Sequence, residues 1–503
     1  MPKQAGKVYL VGAGPGDPGL LTLRGCELLQ QADIVFYDYL ANPLLLSHAA
    51  ERAELVCLGR HGAGRVLTQE EINGQVIAAA AAGKMVVRLK GGDPAIFARA
   101  GEEIAAFEAA GVSYEAVPGV TSALAASSYT GVPLTHRDHA SCVAFVTGQE
   151  CRDKEGTALD LANLANFPGT LVFYMGVTTA PTWSKALIVH GKSPATPVAI
   201  VRHCSLPEQR LVRTTLGELP EVLAPRQMRP PAIIIVGDAI TAQTKSSWFT
   251  ARPLFGQTVL VTRPARQAVA LQKQFSDWGA RALLQPAIEI EPVQDWSPVD
   301  AAIDRLPAQD WLVFSSANGV EYFLDRLLAG GGDLRQLGPC RLAAIGPATA
   351  SKLADYHLRV DLQPERYRAE ALAEQLAVQV AGKRVLLIRA SRGREVLAEM
   401  LTAAGASVEQ TVVYESRDVA RPQPEILDAL AAGQIDWITV TSSAIARSLV
   451  NLFGDALHST KLAAISPLTA GVLAEAGYGA TVVAEEYTTA GLLASVAAAE
   501  KAS

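Results

Sequence analysis

The sequence predicts an α/β protein, and three observations carry that prediction. Short β-rich runs such as ADIVFYD, KMVVRLK, TLVFYMG, AIIIVGD, TVLVTRP and RVLLIRA alternate with Ala-, Leu- and Glu-rich segments along the whole chain. Apolar strands of this length, each followed by a helical pattern, read as mostly parallel sheets covered by helices. The chain opens on VYLVGAGPGDPGLLTLRG, residues 8–25, a strand running into a glycine-rich turn and a helix. The second half, finally, repeats itself.

The opening turn admits several ligands. A Walker loop needs GxxxxGK followed by Ser or Thr, and no such Lys follows here. A dinucleotide fingerprint is formally present as Gly14-Pro15-Gly16-Asp17-Pro18-Gly19, with Asp38 at the end of ADIVFYD where a ribose-binding acid would sit. Pro15 and Pro18, however, remove two N–H donors from a loop that works by presenting N–H groups to pyrophosphate, and Asp17 adds a negative charge. The remaining readings are a tight turn without a ligand and a turn shaped for a ligand that carries no phosphate.

Later strand ends favour the last of these. VVRLKGGDPAIFARAGEE, residues 86–103, ends a strand in Gly91-Gly92-Asp93-Pro94. Paired glycines let a ligand approach the backbone, and the Asp suits a cation or a hydroxyl. VPGVTSALAASSYTGVPLTHR, residues 117–137, is a further strand-end turn, with hydroxyls at Thr121 and Ser122. TLVFYMGV places Met175 just past a strand, and TPVAIVRHCSLPEQR and RPPAIIIVGD complete the set.

The polar stretch TAQTKSSWFTARPLFG, 241–256, reads as a linker, which sets a first half at 5–243, a linker at 244–255 and a second half at 256–503. Beyond it, GQTVLVTRPARQAVALQKQF from Gly256 aligns with GKRVLLIRASRGREVLAEML from Gly382, 126 residues on, and Asp310 of DWLVFSSA aligns with Asp436 of DWITVTSSA at the same offset. LAAIGPATASKLA from Leu342 aligns with LAAISPLTAGVLA from Leu462, now 120 residues on. Two α/β lobes with a cleft between them follow.

Bulk properties set limits. The 503 residues are 49% hydrophobic with a mean hydropathy of +0.19, enough for several cores. A net charge of −6 and a pI near 5.8 give no electrostatic footprint for nucleic acid. No run of about 18 apolar residues suggests a membrane span. The start, MPKQAGKVYLVG, lacks a signal-peptide core, and six scattered cysteines without a CxxC pair fit a reducing cytoplasm. His136 and His139 in THRDH lack a third ligand and read as polar loop residues, so no metal is expected.

Taken together, the strand-end motifs of residues 5–243 resemble the tetrapyrrole methylase family, and more narrowly the uroporphyrinogen-III C-methyltransferases. The resemblance implies two α/β domains around a cleft that binds S-adenosyl-L-methionine, a sulfonium cation without phosphate, and a tetrapyrrole. It places Pro15, Gly91, Gly92, Asp93, Ile96, Thr121, Ser122, Met175, Cys204 and Ala232 at cofactor-contacting positions and Asp38 at the family's proton acceptor. For Asp38 alone the plain reading is a strand-end residue capping a turn. Arg60 stands where the family carries a lysine thought to donate a proton; arginine does not readily release one, so an anchor for a substrate carboxylate is expected. Ala95, Ala98 and Ala100 replace the common Phe, Gly and Gly, and Cys204 replaces a common Gly. The family also implies a homodimer.

Residues 256–503 resemble uroporphyrinogen-III synthase, through VLVTRP, DWLVFSSANGVEYF, AAIGPATASKL, VVYESR and the repeat itself. The resemblance implies lobe one at 256–290 and 417–503, lobe two at 291–416, and a linear tetrapyrrole, hydroxymethylbilane, as substrate. The repeat pairs Arg263 with Arg389, Ser316 with Ser442 and Thr349 with Thr469, expected to bind substrate carboxylates, while Tyr414 matches the family tyrosine thought to assist departure of the hydroxyl group. Each has a plain alternative: helix caps for Ser and Thr, surface charges for the arginines, a satisfied core aromatic for Tyr414. The combined expectation is a bifunctional enzyme that makes uroporphyrinogen III and methylates it twice to precorrin-2. The alternative is a dinucleotide-dependent oxidoreductase with a non-catalytic tetrapyrrole-binding module.

Overall fold

The computed structural model describes residues 6–59, 67–150, 159–224, 228–242, 247–393 and 395–502. Four five-stranded sheets organise the described residues, two in each half. The first contains, in spatial order, Glu54–Cys57, Ile34–Tyr37, Met85–Lys90, Lys7–Gly12 and Ser113–Val117, all parallel. Its central strands are near-continuous apolar runs because helices cover both faces. Lys7–Gly12, first in sequence, lies between Met85–Lys90 and Ser113–Val117, so the loops leaving its carboxyl end and theirs meet at one crevice, where open α/β sheets bind ligands.

The second sheet departs from the expected parallel order. Val143–Thr147 and Thr170–Tyr174 are parallel, but Ala232–Val236, Pro197–Arg202 and Arg210–Thr215 add three antiparallel pairings. For Pro197–Arg202 and Arg210–Thr215 the physical reason lies in the connection: residues 203–209 are too few for the helical crossover a parallel pair requires.

The segment that reads as a linker is anchored at its described end, 247–255. Ser247 Oγ donates to Tyr129 O, Trp248 Nε1 donates to Ser128 O at 3.0 Å, and Phe249, 2% exposed, packs edge-on against Tyr129 and Phe255. Leu254 enters the core of the following unit. The aromatic side chains, outweighed in composition by polar neighbours, hold the strap in place.

In the second half one sheet is wholly parallel: Arg281–Leu284, Thr258–Val261, Trp437–Val440, Lys461–Ala464, Val482–Val483. The other runs Ile288–Pro292, Ser407–Asp418, Arg384–Ala390, Trp311–Phe314, Arg341–Ala344, with only the first pairing antiparallel. The ribbon of Ile288–Pro292 and Tyr414–Asp418 spans the expected lobe boundaries at 290 and 417. The repeat is structural in detail. Trp311 and Trp437 are each buried at a strand start under a cation, Arg341 at 4.9 Å and Lys461 at 5.1 Å from the ring centres. Asp310 and Asp436 accept the backbone N–H of Arg384 and Thr258, at 2.8 and 2.7 Å.

Candidate functional site

The crevice of the first sheet is floored by backbone. Gly14 and Gly92 exchange hydrogen bonds, 3.2 Å from Gly14 N to Gly92 O and 2.8 Å from Gly92 N to Gly14 O. A Cβ on Gly12 would lie 2.5 Å from Gly119 Cα, and one on Gly119 only 2.3 Å from Gly92 O, so three strand-end loops touch where only glycine fits. A Cβ on Gly92, by contrast, would project into open space with Thr121 Cα 4.0 Å away, and φ there is +69°. That open space borders the Gly91-Gly92-Asp93 turn. Asp93 holds it in shape: Oδ1 accepts from Ala95 N at 2.7 Å and Oδ2 from Gly119 N at 2.9 Å.

The opening loop offers no phosphate nest. Gly14 N is bound to Gly92 O, Asp17 N to Ser205 Oγ at 3.1 Å and Gly19 N to Asp17 Oδ1 at 2.8 Å, while Leu20 N and Leu21 N close on the loop's own carbonyls. Asp17 Oδ2 also accepts from Tyr129 Oη at 2.8 Å. These five donors are spent on structure, and Pro15 and Pro18 have none to give, so the loop does not present the run of N–H groups that the dinucleotide reading needs. Pro15 lies half-buried beside this bridge.

Asp38 sits at the end of Ile34–Tyr37 with 32% of its side chain exposed. Oδ1 lies 2.6 Å from Arg88 Nη2, and Oδ2 accepts weakly from Gly91 N at 3.4 Å. Arg88 and Lys90 are buried with Glu103, and burial, reinforced by the neighbouring Arg88, pulls the Lys90 ammonium below its ordinary pKa.

Across the crevice, Tyr174 Oη lies 2.7 Å from Thr121 Oγ1 and accepts from Ala123 N at 3.2 Å; burial raises its pKa. Phe97 packs 5.0 Å from the Tyr174 ring, and Ile96 joins the same apolar cluster. Phe97, Arg99, Met175, His203 and Ser205 all have positive φ, a concentration of strained backbone around one crevice. Met175 is 49% exposed. Cys204 does not line open space with its side chain: Sγ donates to Ser122 O at 3.6 Å, and burial pushes the thiol up to about 12. Ala232 is half-buried at the start of its strand, opposite Arg202.

In the second half, Ser316 Oγ accepts from Gly319 N at 3.0 Å and Ser442 Oγ from Ile445 N at 3.2 Å, so both cap helices. Ser316 Oγ also lies 3.0 Å from Tyr414 Oη, and the Tyr414 ring stacks on Tyr322 at 5.7 Å. Thr349 and Thr469 are buried in the first turns of Pro347–Asp355 and Pro467–Glu475; Thr469 N donates to Ser466 Oγ at 3.3 Å. Arg263 donates to Gln267 Oε1 at 3.0 Å, and Gln267 Nε2 donates to Asn318 Oδ1 at 2.7 Å, joining one sheet's helices to the other's. Arg389 is instead taken up by Glu395 and Gln410.

The family model described as Tetrapyrrole (Corrin/Porphyrin) Methylases matches residues 7–220, and that described as Uroporphyrinogen-III synthase HemD matches residues 269–494. The porphyrin biosynthesis protein HemD of Ruminiclostridium josui is 33% identical over 446 residues, 88% of either chain. The chain belongs to both families, a tetrapyrrole methylase module followed by a uroporphyrinogen-III synthase HemD module. The uroporphyrinogen-III C-methyltransferase of Bacillus subtilis is 37% identical over 376 residues, 74% of this chain and 77% of that one. Siroheme synthases also match, and of these the chain spans about half the length. Among solved structures, the uroporphyrin-III C-methyl transferase of Thermus thermophilus complexed with S-adenosyl homocysteine is 42% identical, covering 47% of this chain and all of that one, with a TM-score of 0.41.

In the methylase module the structure brings Pro15, Gly91, Gly92, Asp93, Thr121, Ser122 and Met175 to one crevice, with Asp38 at its edge. Arg60 lies outside the described residues. Sequence reasoning missed Arg88, Lys90 and Glu103, whose charges sit inside a strand and a helix, and Tyr174 and Tyr322, which position expected residues. Among the described residues no His/Cys/Asp/Glu group is arranged to hold a metal, and no helix is long and apolar enough to cross a membrane.

Proposed function

We propose that the chain is a bifunctional enzyme of tetrapyrrole biosynthesis: its HemD module closes hydroxymethylbilane to uroporphyrinogen III with inversion of the last ring, and its methylase module methylates that product twice to precorrin-2. The observation that carries the reading is the glycine-floored crevice. Five of its loop donors, those of Gly14, Asp17, Gly19, Leu20 and Leu21, are spent on structure, yet it keeps an open cradle over Gly92 beside Asp93 and Thr121. Such a site fits a cation without phosphate. S-Adenosyl-L-methionine, when bound, supplies a methyl group on a sulfonium sulfur. The backbone at Gly91 and Gly92, with Asp93, Thr121, Ser122 and Met175, would hold it.

The chain's own part is orientation and proton handling. Asp38 takes the proton that the macrocycle loses after methylation, and Arg60 anchors a substrate carboxylate. Positioning supplies most of the acceleration. In the HemD module, the Tyr414 hydroxyl assists departure of the bilane's hydroxyl while Ser316 orients it. Arg263, Arg389, Thr349, Ser442 and Thr469 serve substrate carboxylates at the strand ends. A homodimer through the methylase module and a cytoplasmic location accompany this reading.

The test supplies hydroxymethylbilane with and without S-adenosyl-L-methionine. Uroporphyrinogen III alone without the methyl donor, and precorrin-2 with it, is the expected result. Uroporphyrinogen I in both arms would overturn the HemD assignment; uroporphyrinogen III in both arms would overturn the methylase assignment.

A further inference from the structure

Arg88 and Lys90 stand two residues apart on Met85–Lys90, so they point to the same face of the sheet. Both are buried, at 3% and 2% exposure. Two cations side by side in a protein interior need counter-charges. Glu103, from the helix Ala100–Ala109 and 1% exposed, supplies one: its Oε1 accepts from Arg88 Nε at 3.3 Å, Lys90 Nζ at 2.7 Å and Gln69 Nε2 at 3.0 Å.

Arg88 is the member of this cluster that reaches out of it. Nη1 donates to Leu89 O at 3.2 Å, which with the Glu103 contact fixes the guanidinium plane. Nη2 is thereby aimed at Asp38 Oδ1, 2.6 Å away. The planar fork is what lets one side chain meet two carboxylates on opposite sides. Asp38 is on a short strand end and keeps a third of its surface open to solvent, so its own packing does not fix its rotamer.

We infer that Arg88, anchored by Glu103, is a positioning residue for Asp38, holding that carboxylate in the orientation from which it accepts the substrate's proton. The inference rests on the reading of Asp38 as the proton acceptor. Arg88 touches no reacting atom and acts through Asp38 alone.

The test uses the full chain and a double-mutant cycle. Arg88→Gln leaves Glu103 paired with Lys90 and Gln69, which protects the fold. It is expected to lower kcat of methyl transfer about 10- to 100-fold, as a misplaced catalytic group does, with KM for uroporphyrinogen III, affinity for S-adenosyl-L-methionine and Tm little changed. Arg88→Lys restores part of the rate, since it keeps the charge but not the fork. In an Asp38→Asn background, Arg88→Gln has no further effect. Two results separate the failures. If Asp38→Asn alone leaves kcat unchanged, the reading of Asp38 as proton acceptor falls. If Asp38→Asn is slow but Arg88→Gln is harmless, raises KM only, or adds its full cost on top of Asp38→Asn, the positioning role is wrong and Asp38 stands. Should Arg88→Gln fail to fold, Arg88→Lys carries the same cycle.

Discussion

The hydroxyl of Tyr414 lies 3.0 Å from that of Ser316, and Ser316 at the same time caps the helix Ala317–Ala329. One serine therefore ties a helix start to the tyrosine that the HemD reading makes catalytic. Because Tyr414 is only 7% exposed and stacks on Tyr322, its ring is fixed by the core and its hydroxyl by Ser316.

This arrangement separates rate from stability. Tyr414→Phe keeps the ring packing and loses one hydrogen bond, at about 1 kcal/mol. It is expected to lower ring closure by roughly 100-fold, the usual range for a positioned proton-transfer group. Ser316→Ala loses the cap, at about 1 kcal/mol, with a smaller rate loss. Neither change affects methylation of supplied uroporphyrinogen III. Product isomers, resolved after reaction with hydroxymethylbilane, check this: the uninverted isomer should gain in Tyr414→Phe. An unchanged isomer ratio and rate would make Tyr414 a core aromatic only.

Two glycines of the methylase crevice should respond differently to the same methyl group. At Gly12 the Cβ meets Gly119 Cα at 2.5 Å, so Gly12→Ala overpacks the floor, costs about 1–3 kcal/mol and lowers Tm by several degrees. At Gly92 the Cβ meets nothing nearer than 4.0 Å. Gly92→Ala therefore costs chiefly the left-handed backbone strain, about 1–2 kcal/mol, and puts its methyl in the cradle. S-Adenosyl-L-methionine affinity should fall about tenfold, equivalent to about 1.4 kcal/mol. Calorimetric titration beside thermal melting distinguishes the two. Unchanged affinity in Gly92→Ala would place the ligand elsewhere.

The contrast also shows what the residues alone make legible. The Gly-Gly-Asp corner is readable because glycines at a strand end have few other uses. The repeat is readable because Asp310 and Asp436, and Trp311 and Trp437, recur with their partners. Strand direction in the second sheet is not, since an apolar run looks the same either way; the short 203–209 connection decides it for Arg210–Thr215 alone. The ion cluster is not either: in MVVRLK the charges occupy alternate positions, as they would on a solvated face, and only the helix carrying Glu103 buries them. Alignment likewise equates Arg263 with Arg389, yet Glu395 and Gln410 engage Arg389 while Arg263 donates to Gln267.

The cysteines yield a chemical prediction. Burial pushes the thiols of Cys204 and Cys340 up to about 12, so at pH 8 both are essentially un-ionised and shielded. Cys57 is exposed. The thiolate is the nucleophile, so a maleimide at pH 8 should label Cys57 in the folded protein, and Cys204 and Cys340 only after unfolding. Peptide mass mapping of the labelled sites checks this. Labelling of Cys204 in the folded protein, blocked by S-adenosyl-L-methionine, would mean that its side chain faces the crevice after all.

Arg263 carries the last prediction. Its side chain is half-buried, and this desolvation lowers its pKa; its one hydrogen-bond partner among the described residues is neutral, Gln267 Oε1 at 3.0 Å. A half-buried cation without a counter-charge among the described residues weighs against folding. Removing it should therefore leave stability unchanged or raise it, and the sign does not depend on pH across the neutral range, where arginine stays charged. The position makes sense if a carboxylate of the bilane provides the missing charge on binding. Hydrogen bonds to charged groups contribute about 1.5–3 kcal/mol, so Arg263→Met is expected to raise KM for hydroxymethylbilane about tenfold or more while Tm holds or rises. Arg389→Met, which removes an arginine already paired to Glu395, should show a lower Tm and a smaller rise in KM than Arg263→Met. Steady-state kinetics and melting curves of the two variants decide the matter, and a fall in Tm with unchanged KM in Arg263→Met would make Arg263 structural.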